Sequence, residues 1–276
     1  MNTKLILVEG IPGSGKTTTA RFINDWLAKE GYAPELFLEG DWDHPADYEA
    51  VACLSQRAYA DIRAQFPAQV EFLSQYTHKK NGELFFKYRK MKAKAPEMPL
   101  ELYEALAQFE IYDLPAEKHC DLLLQRWQQF AAQAAAEEKV YVFECVFLQN
   151  PTTTLLAKHN LSGQVIREHI SALAKAVVPL QPKIIYLAQT DARSTLEKVR
   201  DERPQAWADF VTWYLTEQAY GKAHGLSGFE GVSDFYTIRQ AYELELLSTL
   251  PVFVMVLYDF ASWEYRYKHI KALLTA

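Results

Sequence analysis

The sequence predicts an α/β fold, a three-layer sandwich whose five-stranded, mostly parallel sheet carries helices on both faces. Three observations lead there. A short apolar run, Leu5-Ile6-Leu7-Val8, enters the glycine-rich stretch EGIPGSGKTTT, residues 9–19, and helical spacing follows at once. Four further runs of β-branched and aromatic residues are each flanked by helix-like patterns. The chain has 276 residues, 49% of them hydrophobic, and that suffices to bury the core of one large domain carrying an insertion.

In chain order, the helix after the glycines is marked by Ala20, Ile23 and Leu27, with Trp26 alongside, and Gly31 supplies its stop. The second strand is placed at 35–39, ending at Gly40. The third lies at 140–143 and leads into Glu144, the fourth at 184–187 after Pro182, and the fifth at 252–257 after Pro251. About a hundred residues separate the second strand from the third, far more than the dozen or so a crossover needs. This stretch, about 44–138, is expected to be a helical insertion serving as an acceptor-binding or lid segment of one domain, 1–276. Amphipathic patterns cover 47–65 and 99–136, and 131–136 is an alanine-rich helix ending. A second helical stretch, 205–248, is interrupted by Gly221, Gly225, Gly228 and Gly231.

Residues 10–17 satisfy G-x-x-x-x-G-K-[ST] at Gly10, Gly15, Lys16 and Thr17, between a strand and a helix. Glycines let backbone amides turn inward around phosphate oxygens, and a helix N-terminus adds partial positive charge. The expected ligand is a nucleoside triphosphate cradled by Gly10, Ile11, Pro12, Gly13, Ser14, Gly15, Lys16, Thr17 and Thr18. Lys16 is expected on the β- and γ-phosphates and Thr17 on Mg²⁺.

Three further constellations stand out. In EGDWDHPADYE, 39–49, Asp41 and Asp43 follow the second strand, where the crevice of an open α/β sheet lies, so either carboxylate can align or deprotonate an attacking hydroxyl. A helix-capping turn entering near 46–48 is the competing reading for Asp43, and His44 is read as a turn residue. Glu144 ends an apolar strand, a costly place for a charge unless it is paired or faces a ligand, so it is a candidate for the metal shell or for a catalytic base, or else a buried carboxylate bonded to neighbouring backbone or an arginine. In TDARSTLEKVRDERP, 190–204, Asp191 is a helix N-cap; Arg193 and Arg200 share a face, with Arg203 one turn on. These arginines are candidates to clamp a transferring phosphoryl group, or else belong to a solvated helix paired with Glu197, Asp201 and Glu202.

The net charge of -6 and sequence pI near 5.7 argue against general attraction to nucleic acid or anionic membrane. The local exception is 78–94, where Lys79, Lys80, Lys87, Arg89, Lys90, Lys92 and Lys94 face one acid, Glu83. That patch reads as a hairpin turning at Asn81-Gly82 or a mobile lid, by default a solvated charged surface and otherwise a site for an anionic substrate, in which Arg89 takes part, or for a nucleic-acid end. Cys53, Cys120 and Cys145 have neither disulfide nor zinc spacing. The first strand begins almost at once, leaving no room for a signal segment, and no apolar stretch is long enough for a bilayer, so a cytoplasmic location is expected. Leu161-Ser162-Gly163-Gln164 has the look of a transporter ATPase signature, but the strand after it ends in Ala188-Gln189 instead of Asp-Glu, so Ser162 is read as a helix cap. A guanine-specific Asn-Lys-x-Asp is missing.

With these motifs the chain resembles the P-loop kinases of the nucleoside and nucleotide kinase-like group, including thymidylate-kinase-like enzymes and the shikimate and adenylylsulfate kinases. It is also similar to bacterial P-loop proteins carrying EGD-x-DHPADYE, a set with no established substrate. The resemblance implies a parallel core in the order 2-3-1-4-5, ATP with Mg²⁺, Asp41 as base or substrate anchor, and Arg200 or Arg203 as a lid arginine. Thr17 and Glu144 are the expected metal-side pair. The insertion is longer than in those small kinases, and Glu144 stands where thymidylate kinases carry Asp-Arg. The functional expectation is an ATP-dependent phosphotransferase acting on a hydroxyl or phosphate of a small-molecule acceptor, with a homodimer left open. The alternatives are an ATP-hydrolysing regulatory module with a protein partner and a kinase of nucleic-acid ends.

Overall fold

The computed structural model describes residues 2–259 and 262–275. The chain falls into two compact units, one formed by 1–39 with 124–276 and the other by 40–123.

The first unit opens with strand β1 (Leu5–Gly10), buried along its whole length, then helix α1 (Lys16–Lys29) and strand β2 (Pro34–Phe37). Gly31, at φ 84°, follows the C-cap Glu30, a left-handed conformation glycine adopts without steric cost. The second unit contributes β3 (Ala52–Leu54), α2 (Gln56–Gln65), α3 (Val70–Tyr76), β4 (His78–Lys80), β5 (Glu83–Phe86), α4 (Tyr88–Lys94) and α5 (Leu100–Ala107). Helix α6 (Ala116–Ala135) is followed by β6 (Val140–Glu144), α7 (Gln149–Thr153), α8 (Gly163–Val177) and β7 (Lys183–Ala188). Then come α9 (Ala192–Glu202), α10 (Gln205–Thr216), α11 (Ala219–His224), α12 (Gly228–Leu247), β8 (Phe253–Tyr258) and α13 (Trp263–Thr275).

The large sheet runs β2-β6-β1-β7-β8 and every pairing in it is parallel. Numbered over all strands this is not 2-3-1-4-5, because three strands of the second unit intervene between β2 and β6. With those three set aside, the sheet's own strands occur in the order second, third, first, fourth, fifth. On one face Ala20, Ile23, Trp26 and Leu27 of α1 and Ile270 and Leu274 of α13 pack on Ile6, Val8, Val142, Ile185 and Leu187. On the other, Trp127 and Phe130 of α6 meet Phe143 edge-on and tilted at ring separations of 6.0 and 4.8 Å. Tyr186 also leaves β7 on this side, to bond Glu243 of α12. With both faces covered, the central strands read as continuous apolar runs.

The second unit corrects in part the expectation of a helical insertion. It holds a three-stranded sheet, β3-β5-β4, antiparallel throughout. Asn81 and Gly82, at φ 49° and 83°, make the two-residue turn of the β4–β5 hairpin, the first of the readings weighed for this segment. No helix forms at 46–48. Ala50 has φ 53°, Val51 accepts from the Ile111 amide at 2.9 Å, and β3 takes 52–54, so the helix expected over 47–65 begins only at Gln56. Ser55 caps it, accepting from the Ala58 amide at 3.1 Å. A separate apolar cluster, including Leu54, Ile62, Leu73, Phe86, Met91 and Leu102, forms this unit's core.

Candidate functional site

The glycine turn joins β1 to α1. Gly10, Gly13 and Gly15 have φ of 145°, 80° and 93°, which L side chains rarely adopt. Neighbours press on all three. A Cβ at Gly10 would lie 2.6 Å from the Leu187 carbonyl oxygen, one at Gly13 2.3 Å from a Val199 methyl, and one at Gly15 2.4 Å from the Trp263 ring. Helix α9 and the start of α13 therefore lie directly against the turn. Helix α1 has no capping side chain and no acid in its first turn, so its leading amides and partial positive charge have no anionic neighbour on the helix itself. Ser14 Oγ is buried with no hydrogen-bond partner among the described residues. The Lys16 ammonium, 5% exposed, donates to the Ile11 carbonyl at 2.8 Å, arching over its own loop.

Beside the turn stands a group of carboxylates. Thr17 Oγ1 donates to Glu144 Oε1 at 2.7 Å, and the Glu39 amide reaches Glu144 Oε2 at 3.4 Å. Glu144 is buried at the end of β6, where Val8 pairs with it in register, so the β1–β6 ladder delivers it to the turn. Cys145 follows at φ 71°, its amide on the Val8 carbonyl and its thiol 3.6 Å from Glu39 Oε2; burial pushes the thiol well up. Glu39 Oε1 also accepts from Gln149 Nε2 at 2.9 Å. The functional atoms of Glu39, Glu144 and Cys145 all lie within 4.8 Å of one another. An oxygen-rich donor set next to a threonine hydroxyl suits a hard divalent cation.

Behind the turn lies a buried network that sequence reasoning missed. Arg239 of α12, fully buried, donates to the Gly10 carbonyl at 3.1 Å and to Thr153 Oγ1 at 2.7 Å, and its Nε lies 3.3 Å from Glu243. Glu243 in turn accepts from the Tyr186 hydroxyl at 2.7 Å. The signal was present as an Arg-x-x-x-Glu pair, one helical turn apart, in the aromatic-rich run 235–247. Glu9, also fully buried, accepts from the amides of Phe147 and Gln149, both at 2.9 Å. Burial pushes Glu9 up to about 7 against the pull of those amides, with the charge of Glu243 adding to the rise.

Helix α9, which carries Arg193 and Arg200, is seated against the turn by Thr195 and Val199, which lie beside Gly13. Asp191 caps α9 as expected, accepting from the Ser194 amide at 2.9 Å. Arg193 is engaged by Glu230 and Asp234 of α12 at 3.1 and 2.9 Å. Arg200 pairs with Asp201 and lies over the Phe229 ring, and Arg203 lies over Trp207.

Asp41, Asp43 and Arg89 belong to the second unit. Asp41 Oδ1 accepts from the Asp43 amide at 2.8 Å, closing a tight turn. Asp43 is clasped by Lys87 at 2.7 Å and Lys90 at 2.5 Å, and these ammonium groups hold its carboxyl down at about 2. Arg89 pairs with Glu49 at 3.4 Å. Buried His44 accepts from the Ala46 amide through Nδ1, a capping turn with no helix behind it.

No family model matches the chain. A probable adenylyl-sulfate kinase of Aeropyrum pernix is 53% identical over 38 residues, 14% of this chain and 20% of that protein. The chain thus matches about a fifth of that relative's length. This short similarity and the parallel-sheet α/β architecture fit a P-loop kinase-like fold. Among the described residues, no helix is long and apolar enough to cross a membrane.

Proposed function

We propose that the chain is an ATP-dependent phosphotransferase of P-loop kinase type, acting on a hydroxyl or phosphate of a small molecule. One observation carries the reading: an uncapped helix N-terminus at a three-glycine turn, with Lys16 over the turn and Thr17 bonded to a buried strand-end carboxylate, Glu144. The orphan Ser14 hydroxyl and the Thr17–Glu144 pair fit the phosphates and cation of Mg²⁺-ATP. The nucleotide supplies the transferable γ-phosphoryl group and the cation offsets its charge.

In this reading the amides of Gly10 to Thr18 orient the phosphate chain, and Lys16 exchanges the Ile11 carbonyl for phosphate oxygens. Thr17 and Glu144 hold the cation. Arg200 or Arg203 completes the charge balance over the turn as a lid, and Arg193 stays with its acidic partners on α12. Asp41 is assigned the base or acceptor-anchoring role that the family resemblance implies. Lys87 and Lys90 are committed to Asp43, which favours a structural role for that part of the basic patch over capture of a nucleic-acid end. The test is incubation with labelled Mg²⁺-ATP and a metabolite extract. Transfer to a small molecule that is lost in Lys16→Ala, and lost in Asp41→Asn with nucleotide binding intact, supports the proposal. Hydrolysis without any acceptor, or labelling of oligonucleotide ends alone, defeats it.

A further inference from the structure

We propose that Glu9 is a positioning residue: its buried carboxylate ties down the turn at 145–149 through two amides and thereby holds Glu144 on Thr17 and Gln149 on Glu39. The inference rests on the reading above only for what Glu144 faces.

The geometry is specific to a carboxylate. One oxygen of Glu9 accepts from Phe147 and the other from Gln149, each at 2.9 Å, in a place with no solvent exposure. A glutamine there would offer one acceptor and an NH₂ group, so one of the two amides would meet a donor and stay unpaired. The turn needs such a hold because it begins at Cys145, whose φ of 71° is a strained conformation for any residue but glycine. Three successive residues of β1 then do three related jobs. Val8 accepts from the Cys145 amide, Glu9 takes the two amides beyond, and Gly10 starts the glycine turn. The hold passes outward through Gln149, whose side chain donates to Glu39, and the Glu39 amide faces Glu144. Glu9 touches neither Thr17 nor Glu144 in this chain of contacts, yet it fixes the backbone that follows Glu144.

Protonating Glu9 mimics the substitution, because the added proton turns one acceptor into a donor facing an amide. The titratable groups around it are Glu243 from α12, Tyr186 from β7 and Cys145 from the turn itself, with Arg239 held on Glu243. Burial brings this titration to about 7, within easy experimental range.

The experiment compares the full-length wild type with Glu9→Gln, and with Glu144→Gln as the reference for loss of the cation-facing group. In nucleotide-free protein, exchange of the Phe147 and Gln149 amides is followed by NMR. It should quicken about tenfold in Glu9→Gln, the worth of one buried hydrogen bond. In the wild type, after correction for the intrinsic pH dependence of exchange, the same loss of protection should set in as pH falls through about 7. In the second arm, the Mg²⁺ concentration for half-maximal ATP binding should rise about tenfold in Glu9→Gln, approaching Glu144→Gln, while Mg²⁺-free binding changes less than about twofold. The pH change serves if the variant does not fold. Unchanged amide protection overturns the proposal, as does lost protection with wild-type Mg²⁺ dependence, or an equal fall in Mg²⁺-dependent and Mg²⁺-free binding. If the wild type binds no nucleotide while the exchange arm behaves as expected, the kinase reading falls and the tie between Glu9 and the turn stands.

Discussion

The Lys16 ammonium rests on the Ile11 carbonyl of its own loop, which holds its charge at the glycine turn. Replacing it with alanine removes a preorganised donor, and the proposed phosphoryl transfer should fall by about 10²–10³-fold or more, measured as kcat with folding checked by circular dichroism. Asp43 sits at the opposite extreme. Its ion pairs with two lysines are half-exposed, so Asp43→Asn should change stability by no more than about 1 kcal/mol in urea unfolding. The site residues differ in how readable they were. Glu144 was found because a charge in an apolar strand demands a partner; the same argument applied to Glu9, one residue before the first glycine, would have found it too. Arg239 was harder, since an arginine in a helix is ordinarily a surface residue, and only the packing of α12 beneath Gly10 buries this one.

At the scale of elements, α9 is seated on the glycine turn so closely that Gly13 has no room for a methyl group. Gly13→Ala should cost about 1–3 kcal/mol from its left-handed backbone alone, with the Val199 clash in addition. Adding Val199→Ala should recover the clash and leave the backbone cost, a partial rescue readable in melting temperature. The five strands of the large sheet were legible because each carries a run of β-branched, aromatic or other apolar residues; in β1 and β6 that run is buried throughout, while the edge strands β2 and β8 are only partly covered. Strands β3, β4 and β5 are only three or four residues long, and apart from the hairpin turn at Asn81-Gly82 nothing local marked them. At that length alternation is indistinguishable from a fragment of helical spacing, and it is pairing with distant residues, Ala52 with Phe86 and His78 with Phe85, that decides the outcome. The hairpin turn was legible because Asn-Gly is locally suited to two successive positive φ angles.

For the molecule as a whole, the buried acids set the response to pH. Glu9 binds its proton more tightly folded, at about 7, than at its ordinary 4.5, so between those values the native state holds more protons than the unfolded chain. Stability therefore falls as pH rises from about 4.5 to 7, by on the order of 3 kcal/mol from this group. Asp43 acts oppositely: its contribution is present above 3.8 and is lost as pH falls toward 2. The urea midpoint should accordingly be higher at pH 5.5 than at pH 8, and Glu9→Gln should flatten that difference. The ionised form that best holds the 145–149 turn is thus the form that is dearest to bury. One contact gives the whole protein a label-free readout. The indole of Trp263 covers Gly15 and is about 42% open to solvent, so an anion entering the turn changes the surroundings of a fluorophore. Emission should shift on nucleotide titration, and the shift should vanish in Trp263→Phe, which keeps an aromatic ring at the same place.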